Sequence, residues 1–546
     1  MISIKIAGKF VETSPDLSIP FELNNDLFNI DDTLPRQFTY QITLPPTPKN
    51  HIVFKWLKSV NSTTEWSERY DAEIIDTGLD IIAKCKVGKV SSKGYEVTFF
   101  VGKASFKEAS EKLMNTLKLD GVRKIIDPYT NQDDIMAQML VIANNPEDYD
   151  FLFAPMYHSN FYQGNSNDQN SGISGFLIIN TYNNISNSFN AGVFQKNWIE
   201  GTSPKPTVHE ETTYIPFFKV KYLIHQIFSE NNYIVTDDFF NTVEKSLMYI
   251  YNNFCLDKQE TTTGGLLGPI QTTVCDNEIT PGNHMPNNTI SEFLNSICRL
   301  FNIHQDFSLV GQRVRLINRE DIYNDLSEDD WTYKQNGQLE QTAPYRNQYG
   351  FKAAEDNADG YHVDVMIPGK RLEKDNYTNR QIIESLLSWP FEGTPFVDVN
   401  DPARSLILAS INQPGNSPLF PDNGTENPFV GKLMFYRGMQ PDSLSNNYPL
   451  LTPSNKNYAG ATIGDLVMDW SDPTYGIYEK FFKNWVKFIS NSRLVTMPLQ
   501  LTIEDICNLD LTKRKRIDTA VYFIKKLSFN LTHKGISDAK AELYKI

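Results

Sequence analysis

The sequence predicts a β-rich α+β chain of several domains, with helix–hairpin insertions and long loops, and three observations carry that reading. At 546 residues the chain exceeds what one ordinary core organises, and usual domain sizes suggest about three or four units. Aromatic residues make up 12% of it, with 34 Phe and 26 Tyr, and such side chains suit pleated, half-buried surfaces. Apolar residues alternate with a period of two at both ends, while the middle carries helical stripes that lead into strand-like runs.

The elements follow in order. Ile2, Ile4 and Ile6 share one face of a first strand. Phe38, Tyr40, Ile42 and Leu44 repeat the period, and Pro45-Pro46-Thr47-Pro48 ends that strand because proline cannot keep donating to a ladder. A run from Leu79 to Val90 returns through Ser91-Ser92-Lys93-Gly94 into Tyr95–Val101, the pattern of a hairpin. Phe106 to Leu117 reads as a short helix, and residues 158–190, rich in Asn, Ser and Gly, read as surface loops. After Pro216, the residues Val220, Leu223, Ile224, Ile227 and Phe228 form one helical stripe. Asn231-Asn232 stops it, and Tyr233-Ile234-Val235 reads as a strand. Thr289-Ile290-Ser291-Glu292 has the form of a capping box, with Phe293, Leu294, Ile297 and Leu300 behind it. Ile303–Leu309, a turn at Gly311-Gln312 and Arg313–Ile317 complete a helix–hairpin unit. Tyr345 to Ile367 is β-like, and 395–460, dense in Pro, Asn, Asp and Gly, reads as loop. Tyr478, Phe481, Phe482, Trp485, Phe488 and Ile489 form a last helical stripe, followed by strands at Leu494–Leu501, Val521–Leu531 and Ala539–Ile546.

Composition excludes several classes. A formal charge of −15 lacks the basic footprint of a nucleic-acid binder. The densest basic run, Lys513-Arg514-Lys515-Arg516, reads as the solvated approach to a strand. No uninterrupted apolar stretch reaches about 18 residues, so no transmembrane segment is expected. The opening residues contain no apolar run of signal-peptide length, which predicts synthesis in a reducing cytoplasm without a secretion signal. Cys85, Cys255, Cys275, Cys298 and Cys507 are scattered without a CxxC pair, against a disulfide framework or a cysteine zinc site. The Asn-X-Ser/Thr triplets at Asn61, Asn184 and Asn423 read as chance in an Asn-rich chain.

The search for chemistry yields no nucleotide, hydrolase or metalloprotease motif. His225 and His304 lie beside helical stripes and read as packing residues, while His51 and His209 fall in loop-like surroundings. Glu210-Glu211 and Asp329-Asp330 could supply the paired carboxylates of a glycosidase, but each reads as a solvated acidic loop. Asp26, Asn29, Asp31 and Asp32 offer oxygen ligands without the spacing of a calcium loop. The Phe481–Phe488 stripe reads as core or subunit interface. No catalytic residue, cofactor site or metal site is assigned, and the chain is expected not to be an enzyme.

Two segments carry a family resemblance. The first is Asp26-Leu27-Phe28 followed by Phe38-Thr39-Tyr40-Gln41-Ile42-Thr43-Leu44-Pro45-Pro46-Thr47-Pro48-Lys49-Asn50, which resembles the opening of tail proteins of Bacteroidetes phages and prophages, where a strand ending in Leu-Pro-x-Thr-Pro-x-Asn recurs. The second runs from Tyr478-Glu479-Lys480-Phe481-Phe482-Lys483-Asn484-Trp485 through Leu494–Leu501 and Lys515-Arg516-Ile517-Asp518 to Tyr522-Phe523-Ile524, and is similar to their C-terminal end. The helix–strand pairings at 218–235 and 289–317 are similar to the middle of tail-hub proteins. About half the chain is covered, and the parts at 130–215 and 395–460 find no counterpart.

The resemblance implies a hub of tail-tube-like β-barrels: a structural virion protein at the axis or tip of a tail, baseplate-like, made in the host cytoplasm. It implies a homotrimer, docked to tube, distal-tail or adaptor and fibre proteins, with DNA passing through during genome ejection but not specifically bound. Five stretches are expected: 1–105, an N-terminal barrel-like domain; 106–215, a mixed, loop-rich insertion; 216–335, an α+β hub domain with helices near 218–230 and 289–301; 336–470, a β domain with a long loop insertion; and 471–546, a helix plus strands completing a second barrel. Two other readings are a receptor- or glycan-binding tail-tip protein using the long loops, and a cell-wall-degrading tail enzyme.

Overall fold

The two ends of the chain pair with each other. In the computed structural model, strand Ser18–Asn24 lies antiparallel to Ala520–Thr532, with Ser18 opposite Thr532 and Asn24 opposite Lys526. Phe21 and Phe529 face each other in that register and stack at 5.2 Å between ring centroids. The structure describes residues 2–28, 38–39, 41–57, 59, 69–76, 78–158, 178–183, 186–189, 198–199, 214–264, 268–309, 311–342, 347–354, 379–390, 395–397, 404–411 and 431–546.

This pairing makes one 14-stranded sheet within a strand-rich α+β fold of several domains whose sheets curl as half-barrels. From one edge the order runs Lys9–Phe10, Ser3–Ile6, Arg69–Asp76, Leu79–Ser91, Gly94–Val101, Phe38–Thr39 and Ser18–Asn24. It continues across the joint through Ala520–Thr532, Gly535–Lys545 and Arg493–Leu499 to Glu340–Thr342. Alternation explains the buried face: Ile4, Ile19, Ile74, Val97, Val495, Leu527 and Leu543 belong to one core cluster drawn from both ends. The hairpin closes with Ser91 opposite Gly94. Gly94 has φ +136°, and a Cβ there would lie 2.0 Å from the Leu44 carbonyl oxygen, so only glycine fits.

The middle of the chain builds on a second, larger core that reaches from Leu27 and Met114 to Trp485 and Phe523. Helix Val220–Ser229 buries Val220, Leu223, Ile224, Ile227 and Phe228, the stripe expected from the sequence. The Thr289 capping box is formed: Thr289 Oγ1 accepts from Glu292 N at 3.2 Å, and Glu292 Oε2 accepts from Thr289 N at 2.8 Å. Helix Ile290–Leu300 then leads into the hairpin of Ile303–Phe307 and Arg313–Asn318. Strand Ile234–Asp237 adds to it in parallel, so the two helix–strand units share one small sheet.

Several expectations change. Phe106–Leu117 is not one helix but a 3-10 turn Gly102–Phe106, a short helix Lys107–Ser110 and a second 3-10 turn Met114–Thr116. There the chain is drawn into long-range bonds instead, with Lys112 O accepting from Ile290 N at 2.8 Å and Leu113 bridging Thr289. The closing stripe is two helices, Ile477–Phe481 and Lys483–Asn491, separated at Phe482. Part of 395–460 is strand: Lys432–Pro441 pairs with Met248–Tyr251 and with Asn447–Thr452 inside a five-stranded sheet. Its residues 432–437 are all buried, so the run does not alternate and escapes a period-two reading. Within 130–215 lies helix Gln132–Asn144, capped by Asn131 and Asp134. Residues 159–177, most of the loop expected at 158–190, lie outside the described residues, as do residues 345–346 and 355–367 of the β-like stretch.

Candidate functional site

The turn that ends strand Ile42–Leu44 shows why its residue types go together. Thr47 caps helix Pro48–Val53 by accepting from Asn50 N at 3.3 Å, and Pro48 occupies the first helical turn, where its missing N–H costs nothing. Asn50 is fully buried. Its Nδ2 donates to the Pro45 and Glu12 carbonyls, each at 2.9 Å, and its Oδ1 accepts from Glu12 N at 2.9 Å. The Leu-Pro-Pro-Thr-Pro-Lys-Asn segment is therefore a strand-to-helix corner riveted to the chain before the joining strand. Behind it, His51 Nδ1 lies 2.6 Å from the Tyr95 hydroxyl and its ring stacks on Trp56.

Two charged runs that the sequence presents separately are brought together. Strand Glu328–Asp330 pairs in parallel with Arg514–Ile517. Asp329 receives Lys513 at 2.5 Å and Lys515 at 2.6 Å, while Arg516 contacts Glu328 at 3.0 Å and Asp330 at 2.7 Å. Arg514–Arg516 thus belong to a strand, Arg514–Ile517, rather than to a solvated approach, with Lys515 buried and Lys513 leading into it. Asp329-Asp330 is an ion-paired strand and not an acidic loop. Burial works to raise the Asp329 carboxyl, but hydrogen bonds from Lys513 and Lys515 hold it below the usual range. Charge neutralised in this way is unsuited to general acid catalysis, which needs a raised carboxyl.

The remaining candidates are placed as follows. His225 Nε2 lies 3.2 Å from Asp237 Oδ2, which also faces Lys221 at 3.4 Å, while Asp237 Oδ1 accepts from Phe240 N, an arrangement that fixes a helix to a strand end. His304 is buried, and burial pushes its pKa well below the ordinary value, with Arg319, Lys103 and Arg315 adding to the effect. Asp26 is buried against the middle core, whereas Asn29, Asp31, Asp32, His209, Glu210 and Glu211 lie outside the described residues. Phe481, Phe482, Trp485 and Phe488 are core. None of the five cysteines is in a disulfide. Among the described residues, no three His, Cys, Asp or Glu side chains could hold a metal ion, and no helix is long and apolar enough to cross a membrane.

No family model matches this chain, and no curated protein matches it. Solved structures do. The chain is similar to the 43 kDa tail protein of prophage MuSo2 from Shewanella oneidensis, with 7% identity and a TM-score of 0.35 over 100% of this chain and 97% of that one. It is similar to a tail protein from Neisseria meningitidis at 9% identity and a TM-score of 0.33, over 100% of this chain and 95% of that one. A Francisella PdpA–VgrG complex follows with 6% identity and a TM-score of 0.26, over 100% of this chain and 57% of the matched chain. Superpositions this loose do not establish a common fold.

What the geometry offers is surface for assembly. Among the described residues, Lys9–Phe10 pairs only with Ser3–Ile6, and Glu340–Thr342 pairs only with Arg493–Leu499. Each end of this path through the 14-stranded sheet is therefore, among the described residues, a short edge without a second partner strand, the kind of edge that recruits another strand. Phe10 is 48% exposed, with Lys5 Nζ 5.2 Å from its ring centroid. Glu340, Gln341 and Thr342 are all exposed. One edge is basic and aromatic, and the other is acidic and polar.

Three residues that the sequence reading passed over hold this assembly together. Arg319, fully enclosed, donates to the Leu27, Ile303 and Asp26 carbonyls at 2.9, 2.7 and 3.3 Å. Glu320, beside it, accepts from Asn484 N at 3.1 Å and Trp485 N at 2.9 Å, capping the helix Lys483–Asn491 from a distant part of the chain. Asn50 is the third. Only Asn50 lay in a recognisable motif; Arg319 and Glu320 follow strand Arg313–Asn318 with no local sign of their partners.

Proposed function

We propose that this chain is a structural phage-tail protein, an axial hub or tip component that acts by assembling with copies of itself and with tube, adaptor and fibre proteins. The carrying observation is the sheet shared by the first and last strands, whose longest run of strands ends, among the described residues, in edges of opposite character. The family resemblance at Phe38–Asn50 and at Tyr478–Ile524 supports the same reading, because both segments build that sheet or the helices packed against it. A heterologous contact, in which the Lys9–Phe10 edge of one copy adds to the Glu340–Thr342 edge of the next, closes into a ring when the rotation permits. Three copies are the expected number by analogy with hubs, and fold-level analogy alone supports that number.

Catalysis has no part in this reading, and DNA is cargo that passes rather than a ligand. The charge of −15 suits a channel wall that must not hold phosphate. The test is the oligomeric state of the purified chain by light scattering, together with oxidative cross-linking of a Lys9→Cys, Gln341→Cys double variant. A closed trimer with covalent links between copies is expected. A chain that stays at 62.5 kDa up to high micromolar concentration, and sits at the periphery of the virion by cryo-electron microscopy, would overturn the hub reading.

A further inference from the structure

Where the shared sheet meets the middle of the chain, a cavity of about 10 Å³ is lined by Asn25, Asp26, Lys103, His304, Asp306 and Leu511, among others. That is room for about one water. The carboxyl of Asp26 and the ring of His304 each point an atom that lacks a partner into buried surroundings, Asp26 Oδ1 and His304 Nδ1. Arg319 is close, but its guanidinium donates to the main chain of Asp26, Leu27 and Ile303 and to Asn302 Oδ1. The nearest cation to the Asp26 carboxylate is Lys103 Nζ, at 4.0 Å. Asp26 opens the 3-10 turn Asp26–Phe28 that follows the joining strand, and His304 and Asp306 lie on strand Ile303–Phe307, so the cavity sits on a contact between two parts of the fold.

We propose that this pocket is a proton-binding joint, in which one proton taken up by Asp26 supplies, through one water in the cavity, the donor that His304 Nδ1 lacks, and tightens the sheet against the middle of the chain. A carboxylate is acceptor-only, and a neutral imidazole in the tautomer with Nδ1 unprotonated is an acceptor there too. Two acceptors across a void repel, whereas a protonated carboxyl donates to a water in the cavity that in turn donates to the same nitrogen, and a buried charge is removed. The inference stands on the cavity and the partnerless atoms, and does not depend on the hub reading.

The surrounding charges agree on where the proton goes. Burial raises the Asp26 carboxyl to about 7, with Lys103 and Arg319 opposing and Asp306 assisting. Burial likewise raises Asp306, which keeps some surface exposure, to about 6, with Asp510 assisting and Arg315 opposing. His304 is held far below its usual range by burial and by Arg319, Lys103 and Arg315, so the ring stays neutral, and Nδ1 accepts when the ring proton sits on Nε2. The sign follows from linkage. A carboxyl raised in the folded state binds its proton more tightly there than in the opened chain, so its contribution is fully present below the unfolded value of 3.8 and is lost as pH rises through about 7. His304, and His284, which burial lowers to about 3, act in the opposite direction, losing stability as pH falls below about 6.5. Total stability therefore masks the effect, and a comparison of variants reveals it.

The experiment is hydrogen exchange on the full chain, corrected for intrinsic rates, at pH 8 and pH 6, read at peptides spanning 18–28 and 303–307. Between pH 8 and pH 6, wild-type protection should rise about tenfold relative to that of Asp26→Asn, the linkage factor for a group near 7, with His304 and Asp306 contributing equally to both chains. Asp26→Asn, which carries a permanent donor, should keep high protection at both values and show only the smaller change due to His304 and Asp306. An equal step in that variant overturns the proposal. Should the variant fail to fold, infrared difference spectra of the wild-type chain decide: a buried carboxylic C=O band growing in with a midpoint near 7 is expected, and no such band appearing above pH 6.5 overturns it.

Discussion

Replacing Asn50 by Ala removes three hydrogen bonds at once, two donated to the Pro45 and Glu12 carbonyls and one accepted from Glu12 N, all at 2.9 Å. The side chain is fully buried, and water has no route to replace it without a cavity opening. A made hydrogen bond contributes about 1 kcal/mol net, and a buried group left without a partner costs about 1–3 kcal/mol. The corner should therefore lose about 3 kcal/mol of local stability. At 1.4 kcal/mol per factor of ten, that is on the order of a hundredfold in the opening equilibrium. A chain of several domains does not unfold in two states, so a global melting temperature is the wrong readout. Hydrogen exchange at peptides covering 3–12 and 45–57 reports the corner itself. Asn50→Asp keeps the acceptor for Glu12 N, loses both donations and buries a charge, so its effect should be at least as large. A change of less than about threefold in protection for both variants would refute the claim that Asn50 rivets the corner.

Two further outcomes follow from the same geometry. Gly94→Ala places a methyl group 2.0 Å from the Leu44 carbonyl at φ +136°, whereas Gly78→Ala, at φ +81°, meets nothing within 4 Å. The second should cost about 1 kcal/mol from backbone strain alone; the first should cost several times more, seen as lost soluble yield and weaker exchange protection across residues 79–101, and equal effects would remove the steric argument. Glu320→Ala strips the helix Lys483–Asn491 of its cap and should cost about 1–2 kcal/mol locally, read by exchange in that helix and by Trp485 fluorescence, with Glu320→Gln recovering part of the loss; unchanged protection in the Ala variant would mean the two contacts at 3.1 and 2.9 Å do not cap the helix.

The elements most legible in the sequence are those whose stabilising partners are near in the chain. The stripe Val220–Phe228, the Thr289–Glu292 box and the hairpin from Leu79 to Val101 each announce themselves through periodicity, a cap or a turn residue. Where partners are distant, the reading fails. Lys513–Arg516 resembles a solvated run until Glu328–Asp330 is laid beside it. Lys432–Pro441 resembles loop because burial on both faces erases alternation. Phe106–Leu117 has helical spacing, but Thr289 and Ile290 compete for its backbone. Helix Gln132–Asn144 was readable, since Asn131 and Asp134 form a capping box and Ile135, Met139, Ile142 and Ala143 give a buried stripe.

The sequence by itself determined the β-rich α+β character, most of the strands of both ends, the helix–hairpin units of the middle and the end of the strand at Leu44–Pro48. Each of these follows from side-chain periods and local hydrogen bonding, which act over a few residues. Only the tertiary structure decided that Ser18–Asn24 pairs with Ala520–Thr532, that two charged runs neutralise each other, and that Asp26 and His304 face one cavity. Those outcomes depend on the closure of very long loops, where many strands of equal local propensity compete. The choice among them is made by packing and backbone pairing rather than by any short stretch of residues.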